Sequence, residues 1–298
     1  MKIIVNNESY LLEYLINNVD KSRKQLKAYL KYGNIKVNNK VVTKYDKFLK
    51  KDDVIEISES KDKTKNSVII YEDKDIIVID KPYGMLSIAS EAEKDNTAYK
   101  LIMEYLKSIN KNNKVFIVHR LDKDTSGVLL FAKNEKTKEL LQSNWDSIVD
   151  RKYIGVVAGK VEKETGIIES LLNENDEHMV YSDDAGTKAI TEYKRLKYND
   201  KYSLLDIKIH TGRKNQIRVH MKDINHIIVG DKKYGSTINP LKRMCLHAYH
   251  LELINPINNE KQTFESKVPK SFMTLFKSIS EENIDANKNP KTTNKLPR

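Results

Sequence analysis

A charged turn between two apolar segments constrains the fold of this chain more than any other feature of its sequence. The segments "VFIV" (115–118) and "VLLFAK" (128–133) are short and apolar, which is typical of buried strands. The connector between them, "HRLDKDTSG", is rich in residues that form turns. The pattern therefore predicts a loop held between two core strands, which is a rigid support for reactive side chains.

The two aspartates of this connector have different surroundings. Aspartate in a turn usually caps the backbone with its own side chain, and Asp124, followed by the Thr-Ser-Gly run at 125–127, fits that structural role. Asp122 lies between the apolar Leu121 and the turn itself. We therefore take Asp122 as the candidate reactive group.

The first 58 residues have the pattern of a small separate module. "ESYLLEYLINNV" and "SRKQLKAYLKYG" carry apolar residues at helical spacing, and Gly33 is expected to end the second helix. "NIKVNNKVV" predicts a hairpin that turns at Asn38 and Asn39, and "DVIEIS" predicts a closing strand. Four basic residues fall around one side of the second helix: Arg23, Lys24, Lys27 and Lys31. They form either a solvated helix face or an RNA contact.

The rest of the chain predicts an α+β protein. We expect the small α/β module at 1–58, a polar linker at 59–67, a larger domain at 68–280 and a disordered tail at 281–298. Strands such as "SVIIYEDKDIIVIDKP" and helices such as "TAYKLIMEYLKSI" alternate too irregularly for a βαβ repeat. A mixed, largely antiparallel sheet with peripheral helices is the expected architecture of the larger domain.

Composition narrows the cellular setting and the partner. No apolar run approaches the ~20 residues that span a bilayer, and the N-terminus lacks the pattern of a signal peptide. The single cysteine, Cys245, cannot form an internal disulfide, so we expect a cytoplasmic protein without a membrane partner. The net charge of +11 favours a polyanionic partner such as nucleic acid, although 45 lysines against 8 arginines also indicate plain composition bias.

The connector belongs to a set of six motifs that occur in a family's order. "HRLDKDTSGVLLFAK" closely resembles the central motif of the pseudouridine synthases that modify large-subunit ribosomal RNA. The resemblance spans about 70–270 and continues through "IDKPYGM" (79–85), "RKYIGVVAG" (151–159), "TGRKNQIRVHM" (211–221), "VGDKKYG" (229–235) and "LHAYHLELINP" (246–256). The N-terminal module resembles the alpha-L RNA-binding domain that is shared with a small-subunit ribosomal protein.

The resemblance implies a reaction and its residues. By position, Asp122 matches the family's essential aspartate, Tyr153 its active-site tyrosine, and Arg218 the basic residue that pairs with that aspartate. The implied reaction breaks the C1′–N1 bond of specific uridines in large-subunit (23S) ribosomal RNA, turns the uracil, and joins C1′ to C5. Asp122 either adds to the sugar or removes its 2′ proton. No cofactor or metal is expected, and the protein is expected to act on RNA as a monomer.

The same resemblance suggests further RNA contacts. Arg120 and Arg213 are expected to bind phosphate or to position the cleft, and Lys81 is expected in a loop at the mouth of the cleft. The chain departs from the family pattern at Asn215, where histidine is common, and at Ile227, where proline is often found. We expect neither departure to touch the Asp–Tyr–Arg set.

Elementary chemistry supports the expected roles of Arg218 and Tyr153. A carboxylate beside apolar neighbours needs a cation to remain charged, and the predicted helix "KNQIRVHMKDI" carries Arg218 at the edge of an inward face formed by Ile217, Met221 and Ile224. Tyr153 offers a flat ring for the displaced uracil, but phenol, with an ordinary pKa near ~10, is a poor base. Stacking is therefore the expected role of Tyr153.

Three alternatives remain open from the sequence. A metal hydrolase is disfavoured because no HExxH or paired-cysteine set accompanies the histidines His119, His210, His220, His226, His247 and His250. A non-catalytic RNA-binding or ribosome-assembly factor would not need Asp122. The same reaction on transfer RNA would use the same site residues on a different substrate.

Overall fold

The structure is a computed structural model, and the chain divides into two compact units, Met1–Ser67 and Val68–Arg298. The residues that it describes are 1–31, 34–57, 68–91 and 93–276. The expected helix end at Gly33, the linker at 59–67 and the tail at 281–298 lie outside the described residues. No helix among the described residues is both long enough and apolar enough to cross a membrane.

In the part of the first unit that the structure describes, two helices are combined with short strands. Its elements are β1 (Lys2–Ile4), β2 (Ser9–Tyr10), α1 (Leu11–Asn18), α2 (Arg23–Lys31), β3 (Ile35–Val37), β4 (Lys40–Val41), β5 (Phe48–Leu49) and β6 (Val54–Ile57). Strands β1-β6-β3-β4 form one sheet in that order, and β2 pairs with β5. The predicted helices, hairpin and closing strand are confirmed. Asn38 and Asn39 take φ values of 49° and 63°, the left-handed conformation that a two-residue hairpin turn requires.

Among its described residues, the second unit contains eleven strands and several helices. Its strands are β7 (Ile69–Glu72), β8 (Ile76–Lys81), β9 (Phe116–Ile117), β10 (Ser126–Ala132), β11 (Val149–Ala158), β12 (Thr165–Glu174), β13 (Val180–Asp183), β14 (Thr187–Tyr198), β15 (Tyr202–Ile209), β16 (Leu246–Ile254) and β17 (Lys261–Glu265). Its described helices are α3 (Ala98–Ile109), α4 (Glu135–Ile148), α5 (Gln216–Asp223), α6 (Lys270–Thr274) and a 3-10 turn at Lys232–Tyr234.

These strands form one mixed sheet. Nine of them follow the order β13-β12-β14-β15-β11-β16-β10-β8-β7, while β9 pairs with β10 and β17 pairs with β16. Strands β10 and β16 are parallel, and the other pairs of named strands in this sheet are antiparallel. The expected α+β architecture, with a largely antiparallel sheet and peripheral helices, is confirmed.

Gly127 permits the close approach of β10 to β16. It has a φ of +115°, and a Cβ atom at this position would lie 2.0 Å from the carbonyl oxygen of Ala248. An L-residue with a side chain would therefore be strained in its backbone and would collide with the neighbouring strand. Because Gly127 is the last residue of the charged connector, this contact fixes where the connector joins the sheet.

Helix α5 presents an apolar side to the core, as its sequence predicts. Ile217 and Met221 are buried, and Ile224, just after the helix, packs against the same core cluster. The helix begins after Asn215, which has a left-handed φ of 53° that asparagine tolerates better than most residues. Helix α5, strand β11 and the β9–β10 connector thereby supply the three residues that the sequence singled out.

Candidate active site

The backbone around Asp122 is held by a buried serine. The amide of Leu121 donates to Ser87 Oγ at 3.0 Å, and the same hydroxyl donates to the carbonyl oxygen of Leu121 at 2.7 Å. Leu121 itself is buried in the core, and the amide of Thr125 donates to the carbonyl oxygen of Asp122 at 3.1 Å. The carboxylate of Asp122 is therefore carried by an anchored turn.

Lys81 holds the other side of this turn and corrects the expectation that it binds RNA. Its side chain is fully buried, and its Nζ donates to the carbonyl oxygens of Met85 at 2.7 Å and of Pro82 and Lys123 at 3.2 Å. Burial lowers the pKa of Lys81 to about 7, although the charge of Asp122 opposes this shift. An ammonium group enclosed by three carbonyls has no free donor for phosphate.

Arg218 is the centre of the polar network in this site. Its Nη1 donates to Asp122 Oδ2 at 3.2 Å and to Asn215 Oδ1 at 3.0 Å. Its Nε and Nη2 donate to the two carboxylate oxygens of Asp231, each at 2.7 Å. The guanidinium also lies 4.9 Å from the centroid of the Tyr234 ring. Asp122 and Arg218, the pair expected from the sequence, are in contact. Arg218 nevertheless makes two hydrogen bonds to Asp231, and both are shorter than its one hydrogen bond to Asp122.

The two carboxylates share one buried cation. Burial alone would lower the pKa of Arg218, but the hydrogen bonds and charge of Asp231, with a further contribution from Asp122, raise it above its usual value. Arg218 and Asp231 are almost fully buried, whereas 27% of the Asp122 side chain is exposed. Asp231 therefore neutralises and orients the guanidinium, and Asp122 is the carboxylate of this group that reaches the cleft.

Asp231 was not predicted as a site residue, and Asn215 was predicted to lie apart from the site. Asp231 lies in the quoted motif "VGDKKYG", but nothing local distinguishes an aspartate that binds a distant arginine from one that caps a short helix, and Asp231 also does the latter for Tyr234. The expectation that Asn215 lies apart from the site set is wrong. Its side chain accepts from Arg218 and donates to the Tyr234 hydroxyl at 3.1 Å.

Tyr153 lies on β11 with its side chain among the residues that line the same cleft. Burial raises the pKa of its hydroxyl above the usual value, the charge of Arg151 opposes the shift, and the charge of Asp122 adds to it. The phenol therefore stays protonated at neutral pH, which favours stacking over proton removal as the chemistry available to this side chain.

A cleft of about 680 Å³ brings the expected site residues together. Its lining includes Asp122, Tyr153 and Arg218, together with two arginines that were expected to contact RNA, Arg120 and Arg213. Both of these arginines are exposed to solvent. The volume lies within the range of cavities that enclose small organic molecules, so a single extruded nucleotide is of suitable size.

The basic residues of α2 belong to the first unit. Arg23 and Lys27 are exposed, and the Nζ of Lys27 lies 5.8 Å from the centroid of the Tyr45 ring. The side chains of Lys24 and Lys31 lie outside the described residues. Exposure of Arg23 and Lys27 is compatible with an RNA contact and with a solvated face alike.

The histidines have local structural partners. His247 lies between Ser126 Oγ, at 2.9 Å from its Nδ1, and Ser266 Oγ, at 3.1 Å from its Nε2. His119 accepts from the amide of Leu130 at 3.0 Å through its Nε2. Within the part of the chain that the structure describes, no group of three or more His, Cys, Asp or Glu side chains is arranged to hold a metal ion.

The segment of the chain that carries this site matches a known protein family. The family described as RNA pseudouridylate synthase matches residues 75–223, which is half of the chain and includes Asp122, Tyr153 and Arg218. The chain belongs to this family. It is therefore an isomerase that acts on RNA, and the predicted family resemblance is confirmed.

Curated relatives of this pseudouridine synthase carry consistent names. "Ribosomal large subunit pseudouridine synthase D" of Borreliella burgdorferi is 40% identical over 222 residues, which cover 71% of this chain and 68% of that protein. An "Uncharacterized RNA pseudouridine synthase" of Aquifex aeolicus is 32% identical and covers 88% of this chain and 90% of its own length.

Solved structures agree with this pseudouridine synthase in fold. "Human RNA Pseudouridylate Synthase Domain Containing 4" superposes with a TM-score of 0.60 at 22% identity, and the match covers 71% of this chain and 92% of the human chain. "Human RNA Pseudouridylate Synthase Domain Containing 1" gives a TM-score of 0.58 at 21% identity, over 76% of this chain and 96% of that one. At these identities the likeness concerns the fold alone.

Proposed function

We propose that this pseudouridine synthase isomerises specific uridines in large-subunit ribosomal RNA and that Asp122 is its essential catalytic group. The observation that carries the proposal is the hydrogen bond between Asp122 and Arg218 inside the cleft, on a backbone turn that Ser87 and Lys81 anchor. Asp122 combines a fixed position, a cationic partner and partial exposure to the cleft. No other carboxylate bonded to Arg218 has that exposure.

The reaction needs a group that acts on the ribose while the base is free to turn. The C1′–N1 bond breaks, the uracil rotates, C1′ joins C5, and the proton on C5 leaves while N1 gains one. The ionised carboxylate of Asp122 either adds to C1′ or takes the 2′ proton, and both routes use the same position. Arg218 donates a charge-assisted hydrogen bond to Asp122 and so holds this carboxylate in position. Tyr153 stacks on the uracil and limits where the ring goes.

Access to a uridine in structured RNA requires extrusion of the nucleotide. Unstacking costs a few kcal/mol, to be offset by stacking in the pocket and by contacts to phosphate. The ring of Tyr153 and the exposed cleft arginines Arg120 and Arg213 are suited to these two contributions. The net charge of +11 adds the long-range attraction to RNA.

The catalytic proposal is tested by release of the C5 proton. Wild type and Asp122→Asn are incubated with large-subunit ribosomal RNA that carries tritium at uridine C5, and the label released to water is counted. We expect release by wild type and loss by at least about a thousandfold in Asp122→Asn, because the essential group would be absent. The matched control is Asp124→Asn, two residues away, which should release label at a similar rate to wild type.

The substrate proposal is tested by mapping. Pseudouridines in ribosomal and transfer RNA are mapped in cells that contain or lack this protein. Sites that disappear from large-subunit ribosomal RNA support the proposal, and the name of the Borreliella burgdorferi relative motivates it. Sites that disappear from transfer RNA alone would move the same reaction to the other substrate. If wild type released no tritium from ribosomal RNA and none from transfer RNA, the proposal of catalysis would be refuted and a non-catalytic RNA-binding role would remain.

We also propose that the N-terminal unit contacts RNA through α2. The exposure of Arg23 and Lys27 supports this role. Changing both residues to glutamine should weaken RNA binding and reduce the dependence of log Kd on log salt by about two, one for each lost phosphate contact. Changing the exposed Lys44 and Lys51 to glutamine removes the same charge and serves as the control. An equal effect of the two pairs would indicate general charge attraction rather than a contact at α2.

A further inference from the structure

Arg151, the first residue of "RKYIGVVAG", is an arginine of the cleft that the proposed reaction does not use. We propose that Arg151 binds a phosphate group of the RNA strand next to the target uridine, and that Asp146 holds the guanidinium in place until the phosphate displaces it. The inference rests on the proposed function, since it takes the cleft of Asp122 as the place where the target uridine binds. It adds a binding residue and an exchange of partners.

The position of Arg151 follows from the strand that carries Tyr153. Both residues lie on β11, and residues two apart on a strand point to the same face at a spacing of about 6.6 Å. Both also line the cleft. A base stacked on Tyr153 would therefore place the strand's adjoining backbone within reach of the long Arg151 side chain.

The hydrogen bonds of Arg151 are incomplete for a buried cation. The residue is 7% exposed, its Nη2 donates to Asp146 Oδ1 at 3.1 Å, and its Nε is buried with no hydrogen-bond partner among the described residues. A guanidinium has five N–H donors, and a buried donor without an acceptor costs about 1 to 3 kcal/mol. Two oxygens of one phosphate can accept from two N–H groups of the planar guanidinium at the same time.

The loop beside Arg151 leaves room for the guanidinium. A Cβ atom on Gly212 would lie 2.6 Å from Arg151 Nη1, so any larger residue there would displace the group. Gly212 precedes Arg213, which also lines the cleft and is exposed. The same loop therefore supplies one cation and accommodates another at the cleft, an arrangement suited to a polyanionic strand.

Asp146 is a weak and replaceable partner. It lies in the last turn of α4, where the helix dipole disfavours a negative charge, and 58% of its side chain is exposed. Water screens the exposed carboxylate and weakens its attraction for the guanidinium of Arg151. A phosphate that offers two acceptors would therefore compete well for Arg151.

His119 does not compete with Arg151 for an anion. Its ring stacks on Trp145 with centroids 4.6 Å apart, and its Nε2 is occupied by the amide of Leu130. Burial, together with the charge of Arg151, lowers the pKa of His119 to about 3, so the ring is neutral at physiological pH. The charge on this part of the wall belongs to Arg151.

The first experiment measures RNA binding in the Asp122→Asn background, which removes turnover. The probe is protein-free large-subunit ribosomal RNA from cells that lack this protein, at several salt concentrations. Arg151→Gln should raise Kd about tenfold and reduce the slope of log Kd against log salt by about one. Arg195→Gln is the control, because the guanidinium of Arg195 bonds the carbonyl oxygens of Val161 and Glu162 outside the cleft. A merely structural Arg151 would not change the salt slope.

The second experiment tests whether phosphate replaces Asp146 as the partner of Arg151, from the direction in which Kd changes. Asp146→Asn should lower Kd about threefold, because Arg151 no longer has to leave a carboxylate. General removal of negative charge predicts the same gain whether or not Arg151 is present, whereas partner exchange predicts that the gain disappears in Asp146→Asn with Arg151→Gln. A double-mutant cycle on Kd separates the two explanations. A gain that persists in the double variant would overturn the exchange.

A folding defect of the variant and a failure of the proposed catalytic role of Asp122 can both be told apart from a failure of the Arg151 phosphate contact. If Arg151→Gln does not fold, Gly212→Ala displaces the guanidinium without removing its charge and should raise Kd by several fold. An unchanged Kd and salt slope in Arg151→Gln, or an unchanged Kd in Gly212→Ala, would overturn the phosphate contact. Tritium release by wild type and its loss in Asp122→Asn would still stand in that case, because they depend on Asp122 alone.

Discussion

Replacing Asp231 with asparagine isolates the support of Arg218 from Asp122 itself. Asparagine has nearly the same shape as aspartate and keeps one oxygen that accepts a hydrogen bond, but it carries no charge. The variant therefore removes one of the two 2.7 Å bonds and leaves the guanidinium of Arg218 with a single anionic partner, Asp122. The surrounding contacts to Asn215 and Tyr234 remain.

The expected magnitude follows from the burial of the pair. Removing one partner of a buried ion pair costs about 3 to 5 kcal/mol, and the retained oxygen places this variant near 3 kcal/mol. For a domain of this size, 1 kcal/mol shifts Tm by roughly 2 to 4 °C, so the larger unit should melt about 6 to 12 °C lower. Loss of the bidentate contact also lets the guanidinium rotate, and a misplacement near 1 Å at a reactive group costs roughly a hundredfold in kcat.

The assay combines thermal unfolding with steady-state tritium release at several RNA concentrations, at a temperature where the variant is fully folded. The fall should appear in kcat rather than in KM, because Arg218 acts on Asp122 and does not bind the RNA in the proposed site. Asp206→Asn provides the control, since this partly buried carboxylate accepts from the Tyr249 hydroxyl at 3.1 Å and lies outside the cleft lining. Asp231→Asn with unchanged kcat and unchanged Tm would refute the view that Asp231 orients Arg218.

Substitutions at three other residues test separate parts of the structure. Tyr153→Phe should keep turnover within about threefold of wild type, whereas Tyr153→Ala should lose roughly tenfold to a hundredfold in kcat/KM because the stacking ring is gone; loss of turnover in the Phe variant would instead implicate the hydroxyl. Gly127→Ala should destabilise the larger unit by at least about 3 kcal/mol in urea unfolding, because its Cβ would collide with the carbonyl of Ala248; near-wild-type stability would contradict that contact. Burial lowers the pKa of Lys81 to about 7, so the unfolded chain binds more protons than the folded one between about pH 7 and 10. Wild-type stability relative to Lys81→Met should therefore rise over that interval, by up to about 1.4 kcal/mol per pH unit, and a flat difference between the two unfolding free energies would contradict this.

The elements that position the site were accessible from local sequence patterns. The strands on either side of the charged connector and the helix that carries Arg218 all appear where the pattern predicted them. Periodicity predicts such elements because a strand or a helix repeats its inward positions at a fixed interval. Asp122 was singled out in the same way, from an apolar neighbour on one side and a turn on the other.

The burial and pairing of the charged side chains in the site could not be predicted from local sequence patterns. Lys81 reads as a solvated cation in the sequence, yet it is fully buried and holds the carbonyl of Lys123. Asp231 reads as a turn residue, yet it is the main partner of Arg218. Burial and pairing depend on which segments meet, and the segments that meet here are separated by many residues along the chain.

The sequence by itself determined the helices and strands and the loop that carries Asp122, because these depend on neighbours within a few positions. Only the tertiary structure decided which carboxylate neutralises Arg218, which lysine is buried among backbone carbonyls and which arginine, Arg151, lines the cleft with an unused donor. The free energy of a charge depends on its distance from every other charge and from water, and only the packed fold fixes those distances.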